Sequence, residues 1–98
     1  MKIVWTKTAE LTFHAEIEFI LKKWNLKQVE KFINLVDDII DQLKKFPLLG
    51  KHSESNDRFL VISKQTTLIY RILNDDIIEL LLFWNNKWNP KNLKELLK

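Results

Sequence analysis

Cysteine is absent from the chain, glycine occurs once and proline twice among 98 residues. Without a thiol the chain can form neither a disulfide nor a thiolate metal site, which agrees with a reducing compartment. A single glycine, Gly50, is too few for a phosphate-cradling loop, and neither G-x-S-x-G nor H-E-x-x-H occurs. Histidine is scarce as well. His14 and His52 stand too far apart to begin a metal site, so no metal and no cofactor are expected. Apolar runs stay well short of the roughly 18 to 20 residues that span a bilayer, and the opening MKIVWTKTAE lacks the apolar core of a signal peptide. A cytoplasmic chain with no membrane contact is the expectation.

What the chain does contain is a foldable pattern: 46% hydrophobic and 30% charged residues suit one core and one domain, 1–98. The net charge of +3 is unevenly placed. Lys87, Lys91, Lys94 and Lys98 face only Glu95 in the last fourteen residues, so the first 84 are neutral overall and the basic character belongs to the tail. Such a tail suits nucleic acid or an acidic partner, and equally a solubilising helix end with lysines at its negative pole.

The stretch Thr67 to Pro90, TLIYRILNDDIIELLLFWNNKWNP, organises the rest. Leu68 to Leu73 and Ile77 to Trp84 are apolar runs parted by Asn74, Asp75 and Asp76, which predicts a hairpin. One charge in the eight residues IIELLLFW predicts that the second run is a central strand covered on both faces. Upstream, Lys2 to Trp5 predicts a first strand. Ala9, Phe13, Ile17, Ile20, Leu21 and Trp24 then make a helical stripe about 17 residues long, with Thr6 or Thr8 as cap. Asn25 with Gln28 resembles a capping box opening a second helix, whose stripe runs through Leu26, Val29, Phe32, Ile33, Val36, Ile39, Ile40, Leu43 and Phe46. Pro47 ends that helix. Gly50 is expected to supply a positive φ, Lys51 to Asp57 a polar loop, and Arg58 to Lys64 a further strand. Pro90, capped by Asn89, starts a terminal helix.

The predicted fold is therefore α+β, in the order β-α-α-β-β-β with a short C-terminal helix. An antiparallel two-helix hairpin packs on one face of a mainly antiparallel four-stranded sheet that includes the N-terminal strand. If Leu73 pairs with Ile77, Arg71 lies opposite Glu79 and the two form a cross-strand ion pair. A one-residue slip removes that pair.

Chemistry-bearing groups are few. His52, in the polar loop, could shuttle a proton near neutral pH, or be inert. Arg58, Lys64, Arg71 and Lys87 could make a cationic surface if they shared the uncovered face. Tyr70 alternates with Leu68 and Ile72, which fits core packing with a hydrogen-bonded hydroxyl. Trp5 and Trp24 are expected in the core or in helix–sheet contacts. Trp84 and Trp88, beside Asn85, Asn86, Lys87 and Asn89, could either close the end of the core or bind a partner.

The opening IVWTKTA, the two amphipathic helices, the Phe-Pro-Leu-Leu-Gly turn, RFLVIS, LIYRILNDDIIELL and the closing WNNKWNPKNL together resemble the RelE/ParE superfamily of type II toxin–antitoxin toxins. The resemblance spans essentially the whole chain and rests on order and spacing. It implies a small bacterial toxin that inhibits growth, serves plasmid stabilisation and is neutralised by a cognate antitoxin. RelE-like members cleave messenger RNA on the ribosome, whereas ParE-like members act on DNA gyrase. Arg58 matches a basic position of the ribonucleases. Their Tyr-Arg at the start of the next strand is replaced by Thr66-Thr67, and a tail arginine is replaced by Lys87, which lacks the bidentate fork for phosphate. The resemblance thus implies a ParE-like toxin without catalysis of its own, with Trp84, Lys87, Trp88, Lys91 and Lys94 binding target or antitoxin. The alternatives are a ribosome-dependent mRNA endonuclease using His52, Arg58, Tyr70 and Lys87, and a degenerate toxin that only binds its antitoxin.

Overall fold

The structure, a computed structural model, describes residues 1–97 and, in the last helix, Lys94 by its backbone alone. Strand β1 (Lys2–Trp5) leads into helices α1 (Lys7–Lys23) and α2 (Leu26–Lys45). The strands β2 (Lys51–His52), β3 (Arg58–Val61), β4 (Thr66–Asn74) and β5 (Ile77–Asn85) follow, and α3 (Pro90–Leu96) closes the chain. They form one sheet of order β1-β5-β4-β3-β2. Only β1, which joins β5, is parallel to its neighbour; the other pairs are antiparallel.

The expected α+β architecture is present, with five strands where four were expected. The fifth is β2, two residues at the start of the polar loop, where Lys51 pairs with Phe59 and His52 with Arg58. Both β2 residues are exposed, so no apolar alternation marks them. Backbone pairing alone makes the strand, and composition cannot reveal that.

The helix boundaries follow from local chemistry. Thr6 Oγ1 accepts the amide of Ala9 at 3.0 Å and caps α1, while its own hydroxyl donates to the carbonyl of Leu80 on β5 at 2.9 Å. One side chain thus sets the start of α1 and its position over the sheet. Asn25 caps α2 by accepting the amide of Gln28 at 3.0 Å, and Asn89 caps α3 with Pro90 following it. The α2 stripe buries Val29, Phe32, Val36 and Leu43 as its period requires, while its two ends, Leu26 and Phe46, are exposed. The α1 stripe is rotated from expectation. Its buried line is Ala9, Thr12, Glu16 and Ile20, whereas Leu21 and Trp24 are about half exposed. Two polar residues on the inward face hide the true stripe from a hydrophobicity count. Thr12 is there because its hydroxyl accepts the amide of Phe83 at 2.9 Å.

Two irregularities set the β4–β5 register. Ile72 pairs with Ile78 and Asn74 with Ile77, leaving Leu73 unpaired and half exposed, in place of the expected Leu73–Ile77 pair. Arg71 does lie opposite Glu79. Its guanidinium nevertheless turns to Asp57, with Nε and Nη2 at 3.1 and 2.9 Å from Oδ1. Asp57 is the better partner because it is buried, so its charge is less screened than that of half-buried Glu79. The second irregularity lies between Tyr70–Leu80 and Ile69–Leu82, where Leu81 is the extra residue. Such a bulge reverses the facing of everything beyond it. Ile78, Leu80 and Phe83 consequently meet the helices, while Leu82 and Trp84 turn to the opposite face with Ile69, Trp88, Leu93 and Leu97.

β5 is covered on both faces as predicted, by the helices on one side and by the α3 segment on the other. At the centre of the main core, Phe83 contacts Trp5 and Phe13, with ring centroids 5.4 and 5.3 Å away. Phe83→Ala should lower unfolding free energy by about 3 to 5 kcal/mol, read by chemical denaturation.

Gly50 has no positive φ, contrary to expectation. It is glycine because of crowding: a Cβ there would stand 2.7 Å from Tyr70 Cε1 and 2.8 Å from its hydroxyl. Gly50→Ala should therefore destabilise the α2–β2 turn, seen as a lowered Tm with faster amide exchange at residues 47–52.

Candidate functional site

The strand register brings three of the four ribonuclease candidates into one row. His52 on β2 lies opposite Arg58 on β3, which lies opposite Tyr70 on β4. Pairs directly across a ladder share a face, and Tyr70 belongs to the helix-side core.

Each member of the row is differently engaged. Tyr70 is fully buried; its hydroxyl donates to the Pro47 carbonyl at 2.8 Å and accepts the Gly50 amide at 2.7 Å. Arg58 donates through Nη1 to the Gly50 carbonyl at 2.9 Å. Together they tie the α2–β2 turn to the sheet edge. Only His52 is exposed and carries no side-chain hydrogen bond among the described residues. Lys87 is not part of the row. It follows Asn85, whose partner Thr66 is four residues along β4 from Tyr70, about 13 Å at strand rise.

The two threonines at the start of β4 are structural. Thr66 donates to buried Glu16 Oε2 at 2.8 Å, joined there by Gln65 Nε2 at 3.2 Å, and Thr67 donates to Asn86 Oδ1 at 2.8 Å. Glu16, which periodicity had missed, is a buried acid that holds the β3–β4 loop under α1. Among the described residues, its Oε1 and the Nδ2 of Asn85 are buried polar atoms without a protein partner.

Among the proposed partner-binding residues, Trp84 is buried and meets the edge of Trp88 at 5.3 Å and 88°. That geometry commits the Trp84 ring to the smaller core. Trp88 remains half-buried, and Lys87 and Lys91 are exposed; the Lys94 side chain lies outside the described residues. The backbone of the exit is held by Asn85, whose Oδ1 accepts the Lys87 amide at 2.9 Å and whose carbonyl accepts the Trp88 amide at 2.9 Å.

A groove of about 270 Å³ opens beside this exit, lined by Ile20, Trp24, Phe32 and Leu35 with Lys31 and Lys64 at its rim. Lys23 approaches from the end of α1, its ammonium 4.9 Å from the Trp24 ring centroid and 5.6 Å from that of Phe19. Contact with the Lys87 ammonium, and then the charge of that group, push Lys23 below the usual lysine range. Trp24, expected in the core, instead forms a wall of this groove. Trp24 is the C-cap of α1, one residue beyond the helix whose period the stripe assumes. Among the described residues no group of three His, Asp or Glu side chains could hold a metal ion, and no helix is long and apolar enough to cross a membrane.

Burial raises Tyr70 above the ordinary phenol range, opposed by the Gly50 amide and the charge of Arg58. The protonated form is thus favoured by folding. Its contribution to stability is full below about pH 10 and is lost as pH rises through the higher folded value. Tyr70 is the only tyrosine, so phenolate absorbance should titrate above about pH 10 in the native protein. Tyr70→Phe should remove that absorbance and flatten the alkaline loss of stability.

The model of the ParE toxin of the type II toxin–antitoxin system parDE matches residues 3–89. No curated protein sequence matches the chain. Solved structures share the fold, two of them as follows. The chromosomal ParDE toxin–antitoxin system from P. aeruginosa is 23% identical at a TM-score of 0.60, with 87% of this chain and 95% of that one covered. The YoeB/ParE toxin from Agrobacterium tumefaciens is 18% identical at a TM-score of 0.61, with 88% and 99% covered. The family match takes in β1 to β5 with both long helices and ends at the α3 cap, and the chain belongs to the ParE toxin family of type II toxin–antitoxin systems.

Proposed function

We propose that this toxin inhibits DNA gyrase by binding, without catalysis of its own, and that a cognate antitoxin neutralises it in the bacterial cytoplasm. In this reading free toxin arrests growth, and a plasmid carrying the pair is stabilised by it. The supporting observation is the state of the cationic and acid–base groups of the sheet. Tyr70 and Arg58 are spent on the Pro47–Gly50 turn, Arg71 on Asp57, and Thr66 and Thr67 stand where a phosphate-binding arginine would be needed. Phosphodiester cleavage requires preorganised charge aimed at the reacting phosphate. Here that charge is aimed at the protein's own backbone and at Asp57.

The partner-binding residues of this reading are Lys87, Trp88, Lys91 and Lys94 on the basic exit, with Trp84 supporting Trp88 from below. Lysines on an exposed tail speed encounter with an acidic or DNA-bound target.

One arrangement favours the ribonuclease alternative, the row His52–Arg58–Tyr70, and one pair of assays separates the two. Purified toxin at micromolar concentration should inhibit supercoiling by gyrase, while a reconstituted translation reaction should show no cleavage of the message. Message cleavage that disappears in His52→Ala, with gyrase unaffected, would replace the gyrase reading.

A further inference from the structure

Four hydrogen bonds fix the turn between α2 and β2, and all of them fall on its backbone. The Tyr70 hydroxyl bonds to the Pro47 carbonyl and the Gly50 amide, Arg58 donates to the Gly50 carbonyl, and the Leu49 amide reaches the Phe46 carbonyl at 3.1 Å. The side chains of the turn take no part. Phe46, Leu48 and Leu49 are 62%, 66% and 44% exposed, and none of them belongs to either hydrophobic core. A buried hydroxyl, an arginine and the chain's one glycine therefore hold three apolar side chains, within four residues, out in water. Single exposed apolar residues are ordinary, whereas a cluster on a fixed turn marks a contact surface.

The charges flanking the turn have one sign. Lys44, Lys45 and Lys51 are exposed beside it, with His52 next in the chain, and no acid occurs between Asp41 and Glu54. Asp41 reaches Lys44 only at 3.9 Å, with both side chains open to solvent, and an ion pair of that kind contributes little. Lysines in the last turn of a helix suit its negative end. That accounts for Lys44 and Lys45 but not for Lys51 or for the apolar trio.

We propose that this turn docks on the surface of an anionic lipid bilayer, with Phe46, Leu48 and Leu49 entering the acyl boundary and Lys44, Lys45 and Lys51 set against the headgroups. The proposal goes beyond the toxin reading and depends on neither gyrase nor antitoxin. Phe and Leu side chains flanked by lysine are the composition of interfacial segments, and each lysine near an anionic surface adds attraction. The other occupants fit less well. Three side chains fall well short of the roughly 800 Å² per partner of a stable protein interface, and neither lysine nor leucine is typical of its energetic centre. Single-stranded nucleic acid stacks on aromatic faces, which leaves Leu48 and Leu49 without a role. A second copy of the chain would bring lysine to lysine. The expectation of no membrane contact rested on the length of the apolar runs, which bears on crossing a bilayer and not on touching its surface.

The test is co-sedimentation of the full-length toxin with vesicles of phosphatidylcholine and phosphatidylglycerol in equal parts, and with vesicles of phosphatidylcholine alone. The mixed vesicles should bind it, less so at high salt, and the neutral ones roughly tenfold more weakly or not at all. Phe46→Ser/Leu48→Ser keeps every charge and should weaken binding to the mixed vesicles by roughly tenfold or more. Lys44→Gln/Lys45→Gln should weaken it roughly fivefold for each lysine removed. These positions are exposed, so circular dichroism should show an unchanged fold. A second readout needs no variant: in the wild-type protein a spin-labelled lipid should broaden the amide signals of residues 45–51 ahead of all others. Absence of binding to the mixed vesicles overturns the proposal. So does unchanged binding by Phe46→Ser/Leu48→Ser, or broadening centred on residues 85–97, because the basic exit would then carry a purely electrostatic attraction. Loss of gyrase inhibition in Phe46→Ser/Leu48→Ser, with no vesicle binding by the wild type, would assign the turn to a protein target instead.

Discussion

The extra residue at Leu81 in β5 is the constraint on which the rest of the structure depends. A strand without it would turn Leu80, Leu82 and Trp84 to one face and leave Phe83 on the other. With it, Leu80 and Phe83 both enter the helix-side core. Leu82 and Trp84 are released to the opposite face, where they form a second, smaller core with Ile69 and the α3 segment. β5 therefore holds two layers together instead of one. The same shift aligns Asn85 with Thr66, so that the chain leaves the sheet beside the β3–β4 loop and Lys87 emerges next to Lys23.

The polar groups buried around this framework act as positioning devices. Thr6 at the cap of α1 and Thr12 within it bond to β5, and Glu16, about one turn after Thr12, bonds to Gln65 and Thr66. α1 is thereby fixed over the sheet by hydrogen bonds as well as by apolar contact. At the opposite edge Tyr70 and Arg58 do the same for the turn after α2. A buried hydroxyl with both its donor and acceptor functions satisfied is costly to disturb. This is the physical ground for regarding the row His52–Arg58–Tyr70 as chiefly architectural.

Much of the fold was legible because its signals are local. The caps Thr6, Asn25 and Asn89, the helix stop at Pro47 and the apolar runs of β4 and β5 each follow from a few adjacent residues. The failures share a different cause. Arg71 was placed opposite Glu79 correctly, yet its partner is Asp57, fourteen residues away. Gly50 was singled out correctly, yet the reason is Tyr70, twenty residues away, and not its own φ. Trp24 continues an apolar stripe in the sequence and still faces solvent, because it is the C-cap of α1 and no longer follows the helical period.

By itself the sequence determined the class of the molecule: the order of its elements, the helical hairpin on a mainly antiparallel sheet, the basic exit and the likeness to RelE/ParE toxins. These depend on hydrophobic period, turn residues and composition, which act over a few residues at a time. Only the tertiary structure decided which polar groups are free. It spent Tyr70, Arg58 and Arg71 on internal bonds, buried Trp84, and brought Trp24, Lys31 and Lys64 from three separate segments to one groove. Whether a side chain can serve a partner depends on what already satisfies its charge and hydrogen bonds, and those neighbours are set by packing across the fold.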